Sequence, residues 1–303
     1  MNGLNLAMLA AASALAAWAA AAQPPPPGSE AVQIKATDLG HRTWMLEGQG
    51  GNITVIAGDD GVIMVDSQFA PLHDKIKAAV AKLSPQPIRY VVNTHFHGDH
   101  TGGNQGFWLD GATVVAQTNL AKSMAKSTTN PVTGAVIPAS PRGAQPGRTY
   151  GARMTLSVRG RSAELVHMPK AHTGGDTAVW LRDAGVLAAG DIVSVGARYP
   201  FVDWGDGGGI DGIISAIDAF LKRADGRTKI VPGHGPLMSR ADLVAYRVLM
   251  VDARAAVAKL KASGMSEEQV VAAKPLAADV QGRAGATDAQ SAIFTRAIYR
   301  SLR

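Results

Sequence analysis

The chain has 303 residues, no cysteine, and 30 basic against 24 acidic side chains, a formal net charge of +6. Its 46% hydrophobic and 18% charged residues are the composition of a soluble globular protein long enough to bury a large core. The missing cysteine excludes disulfides, thiolate metal sites, thiol nucleophiles and a lipid-modified cysteine, so any metal must be held by imidazole and carboxylate.

From Leu4 to Ala22 the chain is mostly Ala and Leu with one Trp18, and Ala19-Ala20-Ala21-Ala22-Gln23 has the small residues of a signal-peptidase site. An export signal over 1–22 is expected, although no Lys or Arg precedes Leu4. Pro24–Pro27 makes 23–30 an extended linker, and 31–303 reads as one folded domain. Cleavage would leave a periplasmic or secreted protein without a stable membrane partner.

Strands are expected over 32–37 and 42–47, then a hairpin of 52–57 and 62–66 around Gly58-Asp59-Asp60-Gly61. Helical spacing of Leu72, Ile76, Ala79, Val80 and Leu83 predicts a helix over 71–83. The apolar run 88–93 is a strand, followed by a strand over 112–116 and a helix over 119–126. The Pro-, Gly-, Ser- and Thr-rich stretch 127–151 reads as a long surface loop. Strands over 154–158 and 163–168 and a hairpin of 177–181 and 186–189 come next. A glycine-rich loop over 199–209 leads to a helix over 213–222 and a strand over 229–231. In the helix expected over 240–261, Arg240, Arg247, Arg254 and Lys261 recur every seven residues beside an apolar stripe, where they are expected to snorkel. Arg148, Arg153, Arg159 and Arg161 lack interleaved aromatics and read as a solvated basic face, so no nucleic-acid partner is expected.

The chemistry concentrates in His95-Phe96-His97-Gly98-Asp99-His100, which packs four metal-ligand residues into six positions directly after an apolar strand. In an extended segment His95 and His97 project to one side. Gly98 lets the backbone turn, so Asp99 and His100 can serve a neighbouring point. Further donors stand at predicted strand ends: His172, Asp191 and His234. Asp66 ends the strand Ile63-Met64-Val65-Asp66 and suits an acceptor that orients a ligand imidazole. Loops 127–151 and 199–209 are expected to frame a pocket, with Tyr150, Arg198, Tyr199 and Trp204 as substrate contacts.

Taken in order, Asp66, His95, His97, Asp99, His100, His172, Asp191 and His234 resemble the motif set of the metallo-β-lactamase superfamily, over a span from about Val32 to the C-terminus. The resemblance implies a four-layer αβ/βα sandwich with a dinuclear zinc site (two Zn2+ per chain) at its edge. By position, His95, His97 and His172 would bind the first zinc, Asp99, His100 and His234 the second, and Asp191 would bridge them. The bridging aspartate replaces the cysteine or serine of class B β-lactamases and is similar to thioester hydrolases, lactonases and ribonuclease Z. Ser194 stands where class B enzymes carry a lysine.

The expected function is an exported zinc-dependent hydrolase opening a β-lactam or related cyclic amide by attack of a metal-bridging hydroxide, with Asp99 moving the proton. The alternatives are a thioester or lactone hydrolase, or an iron-dependent sulfur-oxidising enzyme of the same fold. The partner is a small-molecule substrate.

Overall fold

The computed structural model describes residues 28–196, 199–277 and 285–302. The expected export signal, linker residues 23–27 and Arg198 lie outside the described residues.

Twelve strands form two stacked sheets. In the first, β1 (Lys35–Gly40), β2 (Thr43–Glu47), β3 (Ile53–Ala57) and β4 (Val62–Val65) run as an antiparallel meander; β5 (Ile88–Val92), β6 (Thr113–Gln117) and β9 (Arg148–Tyr150) then add in parallel. The second sheet has the order β10 (Arg153–Val158), β11 (Arg161–Met168), β12 (Asp176–Leu181), β13 (Val186–Ser194) and β14 (Lys229–His234), with β13 and β14 parallel. A separate two-stranded hairpin, β7 (Thr128–Thr129) with β8 (Val136–Ile137), rises from the stretch expected to be loop.

Alternation along β4 explains the layering. Ile63 and Val65 face the second sheet and join Leu165, Val179 and Val231 in the central core. Val62 and Met64 point the other way, under α1 (His73–Leu83) and α3 (Asn104–Leu109), beside Ile76 and Phe107. With both faces covered, all four β4 residues are buried. On the far side, Trp180, Leu187 and Ile230 of the second sheet pack under α5 (Ile210–Arg223), α6 (Arg240–Ala262) and α8 (Asp288–Ser301) through Phe220, Met250 and Phe294. The result is the expected four-layer αβ/βα sandwich. The shorter helices are α2 (Gly98–Thr101), α4 (Thr118–Met124) and α7 (Glu267–Ala272).

Three expectations change. The stretch 127–151 is not one loop: β9 pairs with β6 in parallel, through Val115↔Arg148 and Gln117↔Tyr150. Arg161 is not on a solvated face but is buried, its guanidinium on Asp183 at 2.6 Å and on Thr43 Oγ1 at 2.9 Å. The seven-residue series on α6 does more than snorkel. Arg247 and Arg254 pair with Asp218 and Asp211 of α5, Arg240 donates to the Ala224 carbonyl, and Lys261 reaches the Tyr299 carbonyl of α8. Each bond is partly exposed and individually weak, yet together they set the register of three helices.

Phe220 is wholly buried between α5 and the second sheet. Phe220→Ala is expected to cost about 3–5 kcal/mol in urea unfolding, whereas Val136→Ala, at a position 72% exposed on the β7–β8 hairpin, stays within about 0.5 kcal/mol.

Candidate metal centre

The donors converge where the C-terminal ends of β4, β5, β13 and β14 meet the turn after β11. Beyond β5 the chain bends over Thr94–Phe96 and, after an extended His97, enters α2, so His95 and His97 precede a helical turn that carries Asp99 and His100. His172 sits in a turn closed by Asp176, whose carboxylate accepts from Thr173 N at 2.8 Å and Thr173 Oγ1 at 2.7 Å. Burial pushes the Asp176 carboxyl well above its usual range. Asp191 follows Gly190, which has φ +54° and interrupts the β13–β14 register. His234 ends β14. Asn52 joins the two sheets here, donating from Nδ2 to the Pro232 and Gly235 carbonyls, both at 2.9 Å, and from N to Gly233 O at 2.7 Å. A Cβ on Gly233 would fall on Asp191 Oδ1, and one on Gly51 would fall on the His100 ring. Glycine is required at both places by close approach alone.

All seven predicted donors are brought together. His172 Nε2 lies 3.0 Å from His97 Nδ1, and His95, His97 and His172 form one cluster able to hold a cation. His100 Nε2 lies 3.3 Å from His234 Nε2 and 3.2 Å from Asp191 Oδ1, and these three residues form a second cluster. Asp99 Oδ2 is 3.1 Å from His234 Nε2 and 3.7 Å from His100 Nε2. Asp191 Oδ2 looks both ways, 3.5 Å from His234 and 3.9 Å from His172. His95 also groups with Asp99 and His100, so the two clusters share walls.

The outer nitrogens are held by acceptors. Asp66 Oδ2 meets His100 Nδ1 at 2.8 Å, while its Oδ1 accepts from Thr94 N at 2.7 Å. Thr94 Oγ1 donates to Asp66 Oδ2 at 2.7 Å, which leaves its lone pair for His95 Nδ1 at 3.1 Å. The Phe201 carbonyl takes His172 Nδ1 at 2.6 Å. Asp203 Oδ2 lies 3.1 Å from His97 Nε2. Asp66 adopts φ +66° and Gln68 φ +52°, left-handed backbone that places the carboxylate and costs some stability.

Sequence reasoning found Asp66 but missed Thr94, Phe201 and Asp203. A main-chain carbonyl leaves no mark in a sequence, and an aspartate in a glycine-rich loop reads as a turn residue.

Electrostatics suits a cation. Burial pushes His172 down to about 4 and His95 well below its usual value, so both rings are neutral at pH 7. Burial alone would raise Asp99, but His100 and His234 bring it to about 2. Burial would likewise raise Asp191, and the same two imidazoles hold it well below the carboxylate range. Burial would depress His100, yet Asp99, Asp191 and Asp66 hold it well above. Three carboxylates around one ring call for positive charge, from a proton or from a cation among the donors. His95 Nε2 is buried with no hydrogen-bond partner, its lone pair aimed into the cluster. A set of five imidazoles and two carboxylates fits zinc and also iron or manganese.

A cavity of about 440 Å³ opens over the donors. Phe96, Ile137, Pro200, Phe201, Ile293 and Phe294 give it apolar walls, and Asn130 and Gln290 add amides. Tyr199 lines it, stacked on Phe294 at 4.6 Å. Tyr150 does not: β9 turns it into the core between the sheets, with its hydroxyl on Thr177 Oγ1 at 2.7 Å. Trp204 is also absent from the lining; it packs toward α8 with the Arg300 guanidinium 5.2 Å from its ring centre.

Residues 46–126 match the family described as the Metallo-beta-lactamase superfamily. Over 164 residues the chain is 28% identical to the 2,4-dinitroanisole O-demethylase subunit alpha of Nocardioides sp. (strain JS1661), covering 53% of this chain and 47% of that one. Over 207 residues it is 24% identical to a beta-lactamase-like protein 2 homolog of Caenorhabditis elegans, covering 67% and 61%. The matches therefore span about half of the first curated relative and under two thirds of the second. A metallo-beta-lactamase from Pontibacter korlensis superposes with a TM-score of 0.60 at 19% identity, over 73% of this chain and 100% of that one. The matched segment holds Asp66 and the His95–His100 motif, and the four layers agree with the fold of that metallo-beta-lactamase, so the chain resembles the metallo-β-lactamase superfamily in motif and in fold.

Proposed function

We propose that this protein is an exported, zinc-dependent hydrolase that cleaves a carbonyl substrate with a neutral, apolar acyl portion, a lactone or thioester. The observation that carries the hydrolase reading is the convergence of seven donors, with the His95 Nε2 lone pair buried and unpartnered among them. Members of the superfamily bind metal ions. When bound, a pair of divalent cations supplies Lewis acidity and lowers the pKa of water from about 15.7 towards 7.

The chain's own residues would do the rest. His95, His97 and His172 would hold one cation, Asp99, His100 and His234 the other, and Asp191 would touch both. Asp99 is held ionised by its imidazole neighbours and its side chain is 28% exposed at the cavity floor. It would accept a proton from an attacking water and return it to the leaving group. Phe96, Phe201 and Phe294 would exclude solvent from the acyl group, and the Asn130 and Gln290 amides at the rim would orient its polar end.

The lining supports this substrate class. No lysine or arginine stands among the described lining residues, and Ser194 occupies the position of the class B lysine, so nothing described there anchors a carboxylate. A β-lactam or related cyclic amide is the second reading, favoured by a cavity large enough for a bicyclic ring system. Either activity suits a periplasmic or secreted location, and N-terminal sequencing of exported protein is expected to begin at Gln23.

His95→Ala and Asp191→Ala should each drop metal content from about two ions per chain and abolish turnover together. Full metal content with normal turnover in either variant, by mass spectrometry and rate assay, would overturn the role given to that residue. The metal recovered also separates a zinc hydrolase from an iron enzyme.

A panel of acyl lactone, acyl thioester and chromogenic cephalosporin is expected to favour the first two. Ile293→Ala should then raise KM for the longest acyl chain roughly tenfold with kcat little changed. Cleavage of the cephalosporin alone would retire the acyl reading in favour of the β-lactam one.

A further inference from the structure

The segment Phe201–Gly209 touches two imidazoles of the first cluster, and its geometry is determined by bonds in several directions. Asp203 is 5% exposed and at its centre. Its N–H donates to the His172 carbonyl at 2.9 Å, and its carbonyl accepts from Gly208 N at 2.8 Å. Its Oδ1 accepts from Asp206 N at 3.0 Å, which leaves Oδ2 for His97 Nε2 at 3.1 Å. Asp206 in turn accepts from Ser123 Oγ at 2.5 Å and from Gly174 N at 3.3 Å. From the other side, Ile210 N donates to Ser301 Oγ of α8 at 3.3 Å.

A carboxylate only accepts, so the hydrogen in the His97–Asp203 contact belongs to His97 Nε2. His97 Nδ1 then faces the cluster. The Phe201 carbonyl demands the same of His172: its Nδ1 carries the hydrogen and its Nε2 presents a lone pair. His97 Nδ1 and His172 Nε2 lie 3.0 Å apart.

We propose that Asp203 is a positioning residue that fixes His97 as the Nε2–H tautomer, with Nδ1 turned into the cluster. Together with the Phe201 carbonyl it makes one short segment the outer brace of the first cation position. The same segment carries Phe201 into the cavity wall, so the shape of the acyl pocket and the affinity of the first cation position are set together. The proposal rests on the reading of His95, His97 and His172 as metal ligands.

Long-range proton–nitrogen NMR of the zinc-loaded protein at neutral pH is the direct test. In the native chain His97 is expected to show a protonated Nε2 and an unprotonated Nδ1. In Asp203→Ala a mixture of tautomers is expected, and chelator competition should give a first-site zinc affinity lowered 10–100-fold with the second site little changed. Asp203→Glu, which keeps the carboxylate, should restore part of the tautomer preference. A residue with a structural role alone would lower the melting temperature without moving the tautomer. A dominant Nδ1–H form of His97 in the native protein would overturn the proposal, as would native tautomer and affinity in Asp203→Ala. Should Asp203→Ala not fold, Asp203→Asn and the native spectrum decide. A native protein that takes up zinc but hydrolyses no substrate of the panel defeats the hydrolase reading, while its His97 spectrum still decides this one.

Discussion

Imidazole nitrogens do not approach each other without something positive between them, a proton or a cation, and this cluster brings several together. His97 Nδ1 faces His172 Nε2 at 3.0 Å, and His100 Nε2 faces His234 Nε2 at 3.3 Å. Both spacings are close to the separation of neighbouring ligands around one tetrahedral ion with bonds of about 2.0–2.1 Å. Acceptors on the outer nitrogens of His95, His97, His100 and His172 hold these rings in that orientation, and the sheets hold the acceptors. The sandwich is the means by which an electrostatically costly arrangement is kept.

That cost is visible in the backbone. Asp66 and Gln68 accept left-handed conformations within three residues of each other, at the point where β4 gives way to the site. Gly51 and Gly233 surrender side chains so that His100 and Asp191 can sit against main chain. The strained and stripped positions surround the donors, while the distant core under α5 and α6 is filled by large, wholly buried side chains such as Phe220 and Met250. Stability gathered in the outer layers offsets what the centre loses.

Much of this was legible in the amino-acid order. The H-x-H-x-D-H run after an apolar strand announces its chemistry because four donors in six positions have no use in a core. His172, Asp191 and His234 were readable because each stands at or just past the end of a predicted strand pattern. The 127–151 stretch was not: its Pro, Gly, Ser and Thr composition describes a loop, and β9 exists because β6 offers it an edge. Tyr150 was misplaced for that reason, since a pairing partner decided which way it faces. Asp203 was hidden because its role depends on where a distant histidine ring lies, and the α6 arginines because their acidic partners sit on another helix.

The tie made by Asn52 has a bearing on the order of assembly. Its side chain reaches carbonyls 180 and 183 positions further along the chain, so the two sheets must already be stacked before the cage closes. Pairing at such separation is slow, and a half-formed chain would present the His95–His100 run without its counterparts from the second sheet. Assembly of the full donor set therefore belongs to the last stage of folding, after both halves have been synthesised and docked.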